Sequence, residues 1–144
     1  MEYKVFYPEN IKVYGGGDYE SRLLLDSYMA GESCVNVNHG TVAAGGHTGS
    51  FKEDGKTLYG PAHHKAEIYL GLSGSATCYL NDHPVQMKCG TLIYIPGGTE
   101  HYLVNNSKTE KFCLVTIWPD EQDNDCWVAR KKDWGKTYKT VDED

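Results

Sequence analysis

The chain has 144 residues, a formal net charge of −6 and a pI near 5.5, and no Lys/Arg-rich run. That length predicts one domain over 1–144, able to bury a core without disulfides or a second lobe. The acidic balance argues against nucleic acid or an anionic membrane as partner.

No apolar stretch is long enough to span a bilayer, and the start, Met1-Glu2-Tyr3-Lys4, lacks the basic-then-apolar pattern of a leader, so a cytoplasmic protein is expected. Five cysteines, Cys34, Cys78, Cys89, Cys113 and Cys126, are odd in number and widely spaced. They read mostly as buried reduced thiols, not as a disulfide framework or a thiolate zinc site.

With 16 Gly and 11 Tyr, the short β-branched and aromatic runs bounded by turn residues predict an all-β fold. In chain order the expected strands cover 3–7, 22–26, 34–43, 67–72, 76–80, 85–88, 91–95, 101–104 and 112–118. Asn36 and Asn38 share one face of the third, opposite Val35 and Val37. They line a pocket if the valines pack outside the lumen, and face solvent if not. Residues 45–62 lack a period and read as a long loop interrupting a barrel. Asn81-Asp82-His83-Pro84 reads as a turn. A barrel core of about 35–118 is followed by a charged tail, 119–144, with Trp127 and Trp134 as anchors and a short helix expected around 125–131.

The most specific segment is GTLIYIPGGTEHYLVN at 90–105. Gly90 permits a tight entry turn, residues 92–95 form a buried strand, and Pro96-Gly97-Gly98 reverses the chain so that His101 opens the next strand. The spacing of Gly90, Pro96, Gly98, His101 and Asn105 resembles the second conserved motif of the cupin family. The first motif is similar but irregular. Glu67 is followed after six residues by Gly74, His63 stands three residues upstream, and Pro61 occupies the place of a second His.

This resemblance implies a cupin double-stranded β-helix, a small jelly-roll barrel with a short, partly helical C-terminal tail, whose lumen holds a ligand. It implies a divalent transition metal, Fe, Mn, Ni, Co or Zn, held by His63, Glu67 and His101. The fourth ligand is open between His64 and His47, with Glu53 and water as alternatives. A mixed imidazole and carboxylate set with open positions suits a catalytic metal. His39 and His83 read as strand-end and turn residues.

Tyr69 shares a strand face with Glu67 and is the first candidate for a substrate-orienting group; Tyr59, Tyr94 and Tyr102 also flank the motifs. Residues 66–74, 90–96 and 117–119 further resemble the cupin-type phosphoglucose isomerases of archaea. Asn124 and Cys126 stand where those enzymes use His and Tyr near the phosphate, which argues against a phosphosugar and leaves a neutral or acidic sugar open. The expected function is therefore a metal-dependent isomerase acting on a sugar or similar hydroxy-carbonyl small molecule through an enediol, with Glu67 and Tyr69 as catalytic candidates. An Fe/Mn dioxygenase, a lyase or epimerase, a non-catalytic small-ligand binder and a metal-free barrel are the competing readings. A homodimer is expected from the family and from exposed strand edges.

Overall fold

The computed structural model describes residues 3–11, 13–120 and 139–140. It is built almost entirely of antiparallel strands: β1 Lys4–Val5, β2 Tyr14–Gly16, β3 Tyr19–Leu25, β4 Asn36–Val42, β5 Ser50–Phe51, β6 Leu58–Tyr59, β7 Glu67–Ser73, β8 Ala76–Leu80, β9 His83–Met87, β10 Leu92–Ile95, β11 His101–Asn105, β12 Phe112–Trp118 and β13 Lys139–Thr140. A six-stranded sheet in the order β10-β7-β12-β4-β3-β2 and a three-stranded sheet in the order β11-β8-β9 supply the walls. Their inner faces meet in one core that includes Val42, Phe112 and Leu114 from the first and Ala76, Cys78 and Leu103 from the second. This is the all-β barrel the sequence predicts. The helix expected over 125–131 lies outside the described residues.

Strand alternation gives the larger sheet two unlike faces. Facing inward, β4 presents Asn36 and Asn38 at one end and Val42 at the other, and β12 runs from Trp118 and Thr116 to Leu114 and Phe112. The lumen is thus polar at one end and packed with apolar side chains at the other. Facing outward, two cross-strand rows are apolar. Tyr94, Ile68, Ile117 and Val37 form one; Leu92, Leu70 and Val115 form the next, which ends on His39 and Arg22.

Several local details differ from the sequence expectation. The chain between β8 and β9 turns on Asn81 and Asp82 alone, both left-handed with φ of 47° and 64°. That is the primed two-residue hairpin favoured by strand twist, and Asn and Asp tolerate it best. His83 and Pro84 already belong to β9, an edge strand where a missing N–H costs no ladder bond. Residues 45–62 are not structureless. They carry the β5–β6 hairpin, and residues 46–48 bond to β11 through Thr48 N–H to Leu103 O and Asn105 N–H to Gly46 O, both 2.9 Å. A single helical turn, Ser27–Ala30, was not foreseen: Asp26 Oδ1 caps it by accepting from Met29 N–H at 2.8 Å, and Gly31 ends it in the left-handed region.

Among the described cysteines only Cys78 is fully buried; Cys34 and Cys113 are half-buried and Cys89 is exposed. The expectation of mostly buried thiols therefore fails for Cys89, which sits in the turn between β9 and β10 and not on a strand face. Cys126 lies outside the described residues.

Candidate metal centre

Three segments converge on the polar end of the lumen. Glu67 is the first residue of β7, inward by alternation, and 5% exposed. His101 opens β11 directly after the Pro96-Gly97-Gly98 reversal and is 4% exposed. His63 lies in the connection between β6 and β7, and its placement depends on that same reversal. Gly98 N–H donates to His63 O at 2.8 Å, and a Cβ on Gly97 would lie 2.0 Å from His64 O, so only glycine lets the two segments approach. Gly60 plays the same part for His101: a Cβ there would lie 1.7 Å from its carbonyl oxygen. Asn105 anchors the far end of β11, its Nδ2 donating to Ala43 O at 3.0 Å and Glu110 O at 2.8 Å.

One donor atom from each of His63, Glu67 and His101 lies within 4.8 Å of the others, so the group can hold a metal ion. The hydrogen bonds decide which atoms face inward. His63 Nδ1 is 2.7 Å from Lys65 O and His101 Nδ1 is 2.9 Å from Thr99 O. A carbonyl only accepts, so both Nδ1 atoms carry the proton and both Nε2 atoms are left to bind. This is the orienting contact that metal-ligating histidines use. The two rings meet edge to face with centroids 4.9 Å apart, and Trp118 stacks on His63 at 5.1 Å. His63 Nε2 is 3.2 Å from Glu67 Oε2, and this contact raises the His63 pKa above its ordinary value, against the opposing effect of burial.

Tyr69, two residues along β7, is buried beside Glu67, and its ring meets His101 edge to face at 5.8 Å. Burial first, and the Glu67 carboxylate second, push its hydroxyl well above the usual phenol range. It therefore stays protonated and acts as a hydrogen-bond donor, not as a ready base.

The candidates for a fourth ligand are not brought to the site. His64 is exposed, at the bend that precedes β7. His47 turns away, its Nε2 3.8 Å from Asp18 Oδ2 and its Nδ1 held by Thr48 O at 2.9 Å. Glu53 is exposed in the β5–β6 turn. Tyr59 and Tyr94 are exposed, and Tyr102 stacks on Tyr79 at a centroid distance of 4.8 Å away from the lumen.

The three ligands open into a cavity of about 360 Å³. Asn38 and Thr116 line it from β4 and β12, and Tyr19 and Ser21 from β3. The asparagines thus face the lumen, while Val35 is exposed and Val37 half-buried on the other side. Among the described residues, Asn38 Oδ1 and both amide atoms of Asn36 are buried without a hydrogen-bond partner. Sequence reading missed Tyr19 and Ser21. Their signal was the alternation Tyr19, Ser21, Leu23, interrupted by charged Glu20 and Arg22. Gly40 makes room for Tyr19, since a Cβ there would lie 2.6 Å from the Tyr19 hydroxyl.

A sequence profile described as "Cupin_2: Cupin domain" matches residues 50–118. That segment, just under half of the chain, is similar to a cupin domain. Solved structures with the same barrel include the polyketide cyclase RemF of Streptomyces resistomycificus, at 19% identity and a TM-score of 0.67 over 85% of this chain and 82% of that one. A Cupin 2 conserved barrel domain protein of Salinispora arenicola matches at 20% identity and 0.61, covering 92% and 97%. A predicted oxalate decarboxylase of Thermotoga maritima matches at 18% identity and 0.61, covering 81% and 99%. At these identities the likeness shows the cupin fold, a fold that serves different chemistries. No curated protein matches the sequence significantly. Among the described residues no helix is long and apolar enough to cross a membrane.

Proposed function

We propose that this protein is a metal-dependent isomerase that interconverts a hydroxy-carbonyl compound through an enediol, with His63, Glu67 and His101 as the protein ligands. The observation that carries the metal centre is the pair of imidazoles whose Nδ1 protons are committed to Lys65 O and Thr99 O while their Nε2 atoms converge with a buried carboxylate. The donor set, two imidazole nitrogens and one carboxylate oxygen, fits Fe, Mn, Ni, Co or Zn. Such an ion would supply Lewis acidity where negative charge develops on a substrate oxygen.

The protein's own part is positioning and proton management. Tyr69 offers a hydroxyl that remains protonated, suited to donating to a substrate oxygen or to Glu67. The stack of Trp118 on His63 helps to fix the ring at the cavity wall. Glu67 is ligand first, because a carboxylate bound to a cation loses basicity.

A lyase, epimerase or dioxygenase is the second reading, favoured by the neighbouring barrels described as a polyketide cyclase and an oxalate decarboxylase. Oxygen uptake under turnover separates a dioxygenase from the rest. We place the protein in the cytoplasm as a homodimer of single-domain chains whose shared surface is the apolar outer face of the six-stranded sheet.

The first experiment is elemental analysis of untagged protein beside His101→Ala, followed by an anaerobic aldose–ketose screen with the metal found. Stoichiometric metal lost in the variant, with interconversion of a sugar pair, supports the proposal. Metal without isomerisation moves the function to the second reading, and no metal after reconstitution removes the metal centre.

A further inference from the structure

Among the described residues four Ser and Thr side chains are buried: Ser21, Thr41, Thr77 and Thr116. Two of them are engaged within the fold. Thr77 Oγ1 donates to Asn106 Oδ1 at 2.7 Å and accepts from Gln86 Nε2 at 3.0 Å, and Thr41 Oγ1 makes a long contact with Cys113 Sγ at 4.0 Å. Neither residue lines the cavity. Ser21 and Thr116 both line it, and among the described residues their hydroxyls meet no hydrogen-bond partner. Unlike Asn38 Oδ1, these two oxygens are not sealed in and keep surface open to the cavity.

The packing calls for a hydroxyl at neither place. Thr116 stands on the inward face of β12 in line with Leu114 and Phe112, and Ser21 on that of β3 between Tyr19 and Leu23. Valine has the shape of threonine and favours a strand at least as well. A hydroxyl withdrawn from bulk water without a protein partner opposes folding, and confined water relieves this only in part. A ligand that bonds to it in the cavity turns the same group into a source of affinity.

Register places the two hydroxyls relative to the metal ligands. Thr116 pairs across the sheet with Tyr69, one strand spacing of about 4.8 Å away, and Tyr69 stands two residues from Glu67 on the same face. Ser21 lies two strands further round the wall, beyond β4, where it pairs with Gly40.

Resting on the reading of a metal-bound hydroxy-carbonyl head group, we propose that Thr116 and Ser21 are substrate-contacting residues, Thr116 meeting an oxygen beside those at the metal and Ser21 a more distant one. A hydroxyl both donates and accepts, so each can pair with a hydroxyl or a carbonyl oxygen of the substrate.

The test compares Thr116→Val and Ser21→Ala with Thr116→Ser and with Thr77→Val, which alters a hydroxyl engaged in the fold away from the cavity. Melting of the metal-free proteins comes first. Thr116→Val and Ser21→Ala should melt at or above wild type, whereas Thr77→Val, which leaves Gln86 and Asn106 without a partner, should melt about 2–4 °C lower. Binding of D-xylulose, a hydroxy-ketone with further hydroxyls along its chain, is then followed in Co²⁺-loaded protein through the visible spectrum of the metal. Thr116→Val and Ser21→Ala should each lose about tenfold in affinity, as expected for one hydrogen bond, while Thr116→Ser and Thr77→Val stay near wild type. A residue that acts only in the fold would lower melting and leave xylulose binding alone. If either variant melts below wild type, or binds xylulose unchanged, the proposal is overturned for that residue. If wild type takes up no Co²⁺ or no xylulose, the reading of the head group falls by itself and melting decides: variants at or above wild type support the proposal, and variants below it overturn it.

Discussion

His63 Nε2 and Glu67 Oε2 lie 3.2 Å apart, four residues along the chain, with the carboxylate side chain only 6% exposed. In the metal-free protein this contact favours the protonated imidazole, so the His63 pKa is raised. A metal must displace that proton. Metal affinity should therefore increase with pH through and beyond the ordinary histidine range near 6.5, and binding should release a proton. The sign is opposite for the stability of the metal-free protein, where the pair contributes fully below the unfolded-state pKa and its contribution is lost as pH rises through the higher folded value. Calorimetric titration in buffers of different ionisation enthalpy measures the proton count. Uptake of metal without proton release would show that the pair does not hold a proton.

Ligand identity separates the five residues nominated from sequence. His101→Ala and His63→Ala should each lower metal content to a small fraction of wild type, because two remaining donors hold a divalent ion poorly. His64→Ala and His47→Ala should retain full metal, since one side chain is exposed and the other is turned to Asp18. Loss of metal in His47→Ala would mean that the 46–48 segment rearranges on binding.

Gly60 tests how finely the backbone positions His101. A methyl group there meets the His101 carbonyl at 1.7 Å, so either β11 or the 58–60 segment must shift. Gly60→Ala should cost about 1–3 kcal/mol in denaturant unfolding and weaken metal binding although no ligand is altered. A variant as stable as wild type with unchanged affinity would show that the segment yields freely.

Thiol chemistry should sort by burial. Burial first, then the Glu67 charge, pushes the Cys78 thiol up to about 12, whereas Cys89 is exposed. Iodoacetamide at pH 8 followed by peptide mapping should label Cys89 within minutes and leave Cys78 untouched until the protein is unfolded. Early labelling of Cys78 would reveal frequent opening of the core.

The outer face of the larger sheet supplies the test of assembly. Wild type should run as a dimer in light scattering at micromolar concentration, and Ile68→Lys with Ile117→Lys, neighbours across β7 and β12, should run as a monomer. A monomeric wild type would remove the dimer proposal.

How much of this could be read in the sequence follows the range of the forces involved. The 90–105 segment was legible because its constraints are local: a glycine at φ 84°, a proline-glycine reversal with Gly98 at φ 83°, and a histidine at a strand start. Glu67 and Tyr69 were legible through alternation. The fourth-ligand candidates could not be ranked from sequence because the direction of a loop side chain is set by distant partners, as Asp18 does for His47. The orientation of Asn36 and Asn38 stayed open for the same reason, since a strand whose two faces hold valines and asparagines does not declare its inner side. Here the amides point in because Val37, on the other face, joins an apolar row with Ile117 and Ile68.

The passage along each inward strand face from polar residues to apolar ones divides labour within the barrel. Phe112, Leu114 and Val42 fasten the sheets at one end, while Glu67, His101 and Asn38 occupy the other. Because the ligands contribute little to the packing that holds the walls together, exchanging them changes the chemistry while leaving the vessel standing. A barrel arranged in this way can be handed from one reaction to another over evolutionary time, each new task beginning from a protein that already folds.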